Sequence, residues 1–184
     1  MEGKIAFVTG ASRGIGKRTA MVLAERGYTV AVTARTLHEG ETYNYSNVAG
    51  ADDVRAMPGS LEATVAAIAE AGGRAHAIRM DLLDRDSIAE SVRVAEAELG
   101  PIDLLVNNAI YQGPGTMDLS LDLRVEVLER LSLGKAINQV FLIQQVLPGM
   151  LERGRGVIVN VVSESAMIDP RAPAGQGGWG FGYS

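Results

Sequence analysis

The chain has 184 residues, with 17 Lys and Arg against 22 Asp and Glu, and therefore a formal net charge of −5 at pH 7. Hydrophobic residues at 47% and charged residues at 21% exclude a largely disordered chain, and the acidic balance without a Lys/Arg-rich run argues against nucleic acid or an anionic membrane as the main partner. With no Cys, and with His38 and His76 as the only imidazoles, disulfides, thiolate nucleophiles and multi-His metal sites are excluded as well.

Met1–Lys4 leads directly into the apolar stretch Ile5-Ala6-Phe7-Val8, so the expectation is that no signal segment precedes the fold. No apolar run approaches the about 18 residues of a membrane span. The expectation is a cytoplasmic protein. Ile5–Thr9 reads as a buried strand, followed by a helix in which Ile15, Thr19, Val22 and Leu23 recur at helical spacing before Gly27 stops it. Tyr28–Ala34 is a second strand, and Thr36–Gly59 is a polar insertion long enough for a lid or binding loop. Ser60 is the predicted N-cap of a helix through Ala71, Ala75–Met80 a third strand, and Asp84 the cap of a helix ending near Leu99. Ile102–Val106 is a fourth strand, Leu121–Met150 a long helical segment, Val157–Val162 a fifth strand, and Ala166–Ser184 a Pro- and Gly-rich run. Unbroken apolar strands alternating with helices predict an α/β fold, a doubly wound parallel sheet covered on both faces. The whole of 1–184 reads as one domain.

Glycine is the compositional outlier, at 22 residues against an ordinary share of about 7%. Three of them fall in Thr9-Gly10-Ala11-Ser12-Arg13-Gly14-Ile15-Gly16, between the first strand and the first helix. Glycines there allow a tight turn and close approach of a pyrophosphate to the free N–H groups of the helix start. A P-loop is excluded, because Ala11 stands where its first Gly belongs and Arg18 follows Lys17 where it needs Ser or Thr.

The segment Thr9–Gly16 strongly resembles the cofactor fingerprint of the short-chain dehydrogenase/reductase family. Further along, Asp81-Leu82 resembles that family's adenine-contacting pair, and Asn107-Asn108-Ala109 its NNAG motif with Ile110 in place of the Gly. Val159–Ser163 resembles the segment carrying the catalytic Ser, and Tyr183-Ser184 the start of YxxxK. The resemblance implies a Rossmann-type fold and a nicotinamide-dependent oxidoreductase acting on a small carbonyl or alcohol, built as a homodimer or homotetramer partly on the Leu121–Met150 helix. It also implies cofactor contacts from Gly10, Ser12, Arg13, Gly14, Ile15, Gly16, Asp81, Leu82, Asn108, Ala109 and Ile110. Tyr183 is then the proton donor, Ser163 holds the carbonyl oxygen, and Asn138 stands near the place of an Asn that holds a relay water. The family's Lys four residues after the Tyr, and the strands that follow it, fall past Ser184, so the expectation is a chain lacking the C-terminal part of the fold and inactive by itself. The alternative is a dinucleotide-binding regulatory protein without turnover.

An acid at the end of the second strand would favour NAD by bonding the adenosine ribose. Here the strand ends Val32-Thr33-Ala34-Arg35-Thr36. Arg35, with Arg13 in the glycine loop, matches a 2′-phosphate, whose geometry suits the guanidinium fork. The expected cofactor is NADP rather than NAD.

Overall fold

The computed structural model describes residues 3–163 together with Ala172. Five parallel strands form the sheet: β1 (Ile5–Thr9), β2 (Thr29–Ala34), β5 (Arg74–Arg79), β6 (Ile102–Asn107) and β7 (Val157–Asn160), in the order β5-β2-β1-β6-β7. Among the described residues, two further strands, β3 (Thr42–Asn44) and β4 (Val54–Ala56), make a separate antiparallel hairpin inside the insertion, where the sequence predicts a polar lid or binding loop. Among the described residues no helix is long and apolar enough to cross a membrane.

Every residue of β1 is buried, because its two faces serve two cores. Ile5 and Phe7 join Ile88, Val92, Leu105, Leu142 and Val146 on one face. Ala6 and Val8 join Ala20, Ala24, Val32, Leu61 and Ile68 on the other. The helices responsible are α3 (Arg85–Leu99) and α5 (Asn138–Glu152) on the first face, and α1 (Gly14–Glu25) and α2 (Leu61–Glu70) on the second. Both expected caps are present: Ser60 Oγ accepts the Ala63 N–H, and the Asp84 carboxylate accepts those of Asp86 and Ser87.

Two local readings are corrected. The buried face of α1 is Gly16, Ala20 and Ala24, and Ile15 is 68% exposed. The first turn of α1 lies so close to the loops after β1 and β6 that only a residue without a side chain fits facing them. The long helical segment begins as α4 (Val125–Ser132), passes through one π-helical turn at Leu133–Ile137, and continues as α5. In that turn Gly134 lies against Tyr111, and a Cβ on it would overlap the Tyr111 side chain. The widened turn makes room for an aromatic residue from the loop after β6.

The sheet order turns back at β1, which lies between β2 and β6. At such a reversal the loops leaving neighbouring strands diverge and open a crevice beyond the carboxyl ends.

Candidate functional site

The crevice begins at the turn after β1. Thr9 is fully buried, and its Oγ1 accepts the N–H groups of both Asn108 and Ala109 at 2.9 Å while donating to the Val106 carbonyl at 3.3 Å. In return the Asn108 amide donates to the Thr9 carbonyl at 2.9 Å. The loops after β1 and β6 are thereby stitched together. Gly10 has φ +68°, and a Cβ on Gly16 would overlap the Gly10 carbonyl and stand 2.6 Å from Asn108 Nδ2. Gly14 has φ +55°, with open space where a Cβ would point. Arg13 occupies the N-cap of α1 without a side-chain capping bond, and no acid stands in the first turn. The first N–H groups of a helix have no partner within it and attract an anion. These features fit a pyrophosphate passing over Gly14.

A cavity of about 380 Å³ extends from this turn along the carboxyl edge of the sheet. Gly10, Ser12 and Arg13 line it from β1, Arg35 and Thr36 from β2, Asp81 and Leu82 from β5, and Asn108, Ala109 and Ile110 from β6. Four of the five strand ends singled out in the sequence therefore open on one space, the end of β7 not among them; Gly14, Ile15 and Gly16 sit beside it in the turn and first helical turn. The lining loops are braced from behind. Asp81 Oδ1 accepts the Leu83 N–H at 2.9 Å, and Gln139 Nε2 donates to the Ala109 carbonyl at 2.7 Å. Tyr45, Tyr111 and Gln112 also line the cavity and were not among the expected residues. Tyr45 carries the clearer signal, since Thr42-Tyr43-Asn44-Tyr45 has the alternating aromatic content of a strand. Tyr111 has none, because its seat is made by Gly134 in a different element.

The two arginines occupy different environments. Arg13 turns its two terminal nitrogens to the protein, donating to Tyr45 Oη at 3.1 Å, Thr36 Oγ1 at 3.1 Å and the Gly59 carbonyl at 3.0 Å. The Arg35 guanidinium instead lies over the Tyr43 ring, 4.7 Å from its centroid, and among the described residues it donates to no protein acceptor. The acids of the insertion are committed elsewhere. Glu39 accepts the Gly59 N–H, and Glu41 forms a bidentate pair with Arg79 at 2.6 and 2.9 Å. Hydrogen bonds from Arg79, then from Tyr43, hold the Glu41 carboxyl at about 2. Burial, and next the Glu41 carboxylate, push the Tyr43 phenol above its ordinary value.

At the other end of the crevice, Asn107 Nδ2 donates to Asn160 Oδ1 at 2.9 Å, and the Val161 N–H to the Asn107 carbonyl. Ser163 follows three residues after β7, beyond the same carboxyl edge, and is exposed. Asn138 is buried, its Nδ2 donating to the Leu82 carbonyl at 2.6 Å and its Oδ1 accepting from Arg85 Nε at 3.1 Å. The amide expected to hold a relay water thus ties α5 to the loop after β5. Burial also pulls the Lys135 ammonium in the π-helical turn below its ordinary value. Tyr183 lies outside the described residues.

Comparison with known proteins agrees with this geometry. The family model for short chain dehydrogenase matches residues 4–57 and 49–172. An uncharacterised oxidoreductase of Mycobacterium tuberculosis, Rv1543, is 38% identical over 173 residues, covering 94% of this chain and 45% of the relative. The chain therefore spans about half the length of that relative. A metagenomic short-chain oxidoreductase crystallised with NADP superposes with a TM-score of 0.76 at 29% identity, over 95% of this chain and 68% of that one. A 7α-hydroxysteroid dehydrogenase complexed with NADH gives a TM-score of 0.73 at 28% identity, over 92% of this chain and 56% of that one. The family match covers most of the sequence and the parallel sheet follows those structures, so the chain belongs to the short-chain dehydrogenase family of oxidoreductases.

Proposed function

We propose that the protein is an NADP(H)-dependent oxidoreductase that moves a hydride between the nicotinamide and a small carbonyl or alcohol substrate. The observation that carries the cofactor preference is Arg35. It directly follows β2 at the edge of the cavity with its N–H groups unspent, where an NAD-preferring site would place an acid. Because the two related complexes hold NADP in one case and NADH in the other, the preference rests on this chain's own residues. In this reading the Gly10–Gly16 turn and the start of α1 hold the pyrophosphate, and Asp81 and Leu82 the adenine. Asn108, Ala109 and Ile110 close the cavity on the β6 side. The bound cofactor supplies the hydride. Ser163 holds the substrate oxygen and Tyr183 exchanges the proton with it, since charge developing there needs both a donor and a fixed dipole. The exposed apolar side chains Val125, Leu128 and Ile137 surround a groove of about 450 Å³ on α4 and the following turn, which supports assembly as a homodimer or homotetramer on that face.

The test is a fluorescence titration with NADPH and NADH on the wild type and on Arg35→Ala. A guanidinium–phosphate contact at a protein surface is worth up to about 4 kcal/mol before desolvation, and about 1.4 kcal/mol of it is tenfold in affinity. Arg35→Ala is expected to weaken NADPH at least several-fold and to leave NADH nearly unchanged. Equal losses for the two cofactors would overturn the assignment.

A further inference from the structure

The hairpin in the insertion is built around the same two arginines. Tyr43, in β3, places its ring beneath the Arg35 guanidinium, whose Cζ lies 4.7 Å from the ring centroid. Its ring is anchored through Oη, whose single hydrogen is shared between Glu41 Oε2 at 2.8 Å and the Arg35 carbonyl at 2.9 Å and which accepts from Arg79 at 3.1 Å. Arg79 also donates to the Arg35 carbonyl at 2.7 Å, so the backbone and side chain of Arg35 are held by one cluster. Two residues on, Tyr45 meets Tyr43 edge-on at 6.4 Å and takes up Arg13.

A guanidinium held over an aromatic ring is attracted to the ring face without spending its N–H groups, so its N–H edge stays free to bond two phosphate oxygens at once. A free Arg side chain must be ordered before it can do this, whereas a stacked one is already placed. Glu41 adds no repulsion toward a phosphate, because Arg79 covers both of its oxygens.

We propose that Tyr43 is a positioning residue for cofactor selectivity: anchored by the Glu41–Arg79 pair, it presents the Arg35 guanidinium edge to the 2′-phosphate of an NADP-type ligand. The proposal rests on the NADP reading above and goes one residue beyond it. Tyr43 reaches Arg35, Glu41, Arg79 and Tyr45 in this arrangement, and is absent from the residues lining the cavity.

Calorimetric titration of the 184-residue chain with adenosine 2′,5′-bisphosphate and with 5′-AMP separates the two claims, since the probes differ only in the 2′-phosphate. Tyr43→Ala is expected to weaken the bisphosphate about fivefold to tenfold, the order of one ordered side chain, and to change AMP less than twofold. Tyr43→Phe keeps the ring over Arg35 and is expected to recover most of the loss. Tyr43→Leu keeps apolar bulk without a ring face and is expected to resemble Ala, so the Phe–Leu pair decides the matter should the Ala variant not fold. Equal weakening of both probes, or a Leu variant as selective as Phe, would overturn the proposal. If Arg35→Ala destroys the selectivity and Tyr43→Leu does not, the stacking role alone is lost. If Arg35→Ala also leaves the selectivity intact, the NADP reading falls with it.

Discussion

The turn after β1 and the β3–β4 hairpin border the same cavity, yet they are held by unlike means. The turn is fixed by atoms that cannot move far: the buried Thr9 hydroxyl between two amides, and Gly16 pressed against the Gly10 carbonyl. The hairpin is fixed by long side chains at half-exposed positions, namely Arg13 on Tyr45, Arg79 on Glu41 and Arg35 on Tyr43. Its far loop is tied across the site, with the Met117 N–H donating to the Asn47 carbonyl at 3.0 Å and the Ala49 N–H to Asp118 at 3.3 Å. Buried, uncharged hydrogen bonds hold one geometry because leaving them unmade is costly. Exposed ion pairs and stacks are individually weak and exchange readily with solvent. The contrast fits a cavity rigid where every dinucleotide is alike and adjustable where cofactors differ.

The sharpest way to break this comparison is Thr9→Val. The substitution is nearly isosteric but leaves the Asn108 and Ala109 amides without a partner, at about 1–3 kcal/mol for each amide that finds no other. Thermal unfolding should fall by about 2–4 °C for each kcal/mol lost, and Thr9→Ser should restore most of it. A Val variant as stable as the wild type would show that the turn is not held from Thr9.

Next in size is Gly16→Ala. A methyl group at this position has no room beside the Gly10 carbonyl and Asn108, and overpacking of this kind costs about 1–3 kcal/mol. Dinucleotide binding should fail in this variant even where the fold survives, because the turn must widen. Undiminished binding of NADPH would mean that the turn is not the pyrophosphate site.

Why one region was legible in the sequence and the other was not follows from the same contrast. The Thr9–Gly16 turn is a local device: strand, glycines and helix start are contiguous, so their order reveals their job. The caps Ser60 and Asp84 were readable for the same reason. Unbroken apolar strands such as Ile5–Val8 gave away the parallel sheet, since burial on both faces leaves no polar alternation. The hairpin depends on partners 32 to 38 residues apart, Arg13 with Tyr45 and Glu41 with Arg79, and no local spacing encodes those meetings. Ile15 misled the reading of α1 because a helix packed this close to its sheet buries Gly and Ala rather than its largest residue. The commitment of Asn138 to Leu82 and Arg85 is likewise a tertiary fact, invisible to helical periodicity.

The third test addresses the hairpin directly. Arg13→Met removes the bonds to Tyr45, Thr36 and Gly59 while keeping much of the side-chain bulk. Global stability should drop by no more than about 1 kcal/mol, the scale of partly exposed polar contacts. Amide exchange across 42–56 should quicken several-fold with β1 and β6 unchanged, and added NADPH should slow exchange in that segment of the wild type. Uniform quickening across the sheet would show that hairpin and sheet open as one unit.

The smallest effect is expected from acid. The Glu41 carboxyl is held at about 2, against its ordinary 4.5, by hydrogen bonds from Arg79 and then Tyr43. A carboxylate whose folded-state value is depressed contributes stability that is complete above its unfolded value and is lost as the pH falls through the folded one. The Arg79–Glu41 contribution should therefore be constant from neutrality down to 4.5 and should fade from there toward 2. Its size is limited, because the Arg79 and Glu41 side chains are 48% and 20% exposed and solvent screens them. Glu41→Gln is the proper reference, since it stands in for the protonated acid at every pH. The difference in unfolding midpoint between wild type and Glu41→Gln should hold steady above about pH 5 and close as the wild-type carboxylate takes up its proton. Added salt should narrow it at neutral pH. A difference that persists undiminished at about pH 2 would mean that Glu41 holds the hairpin by shape rather than by charge, and the adjustable end of the cavity would then be as rigid as the glycine turn.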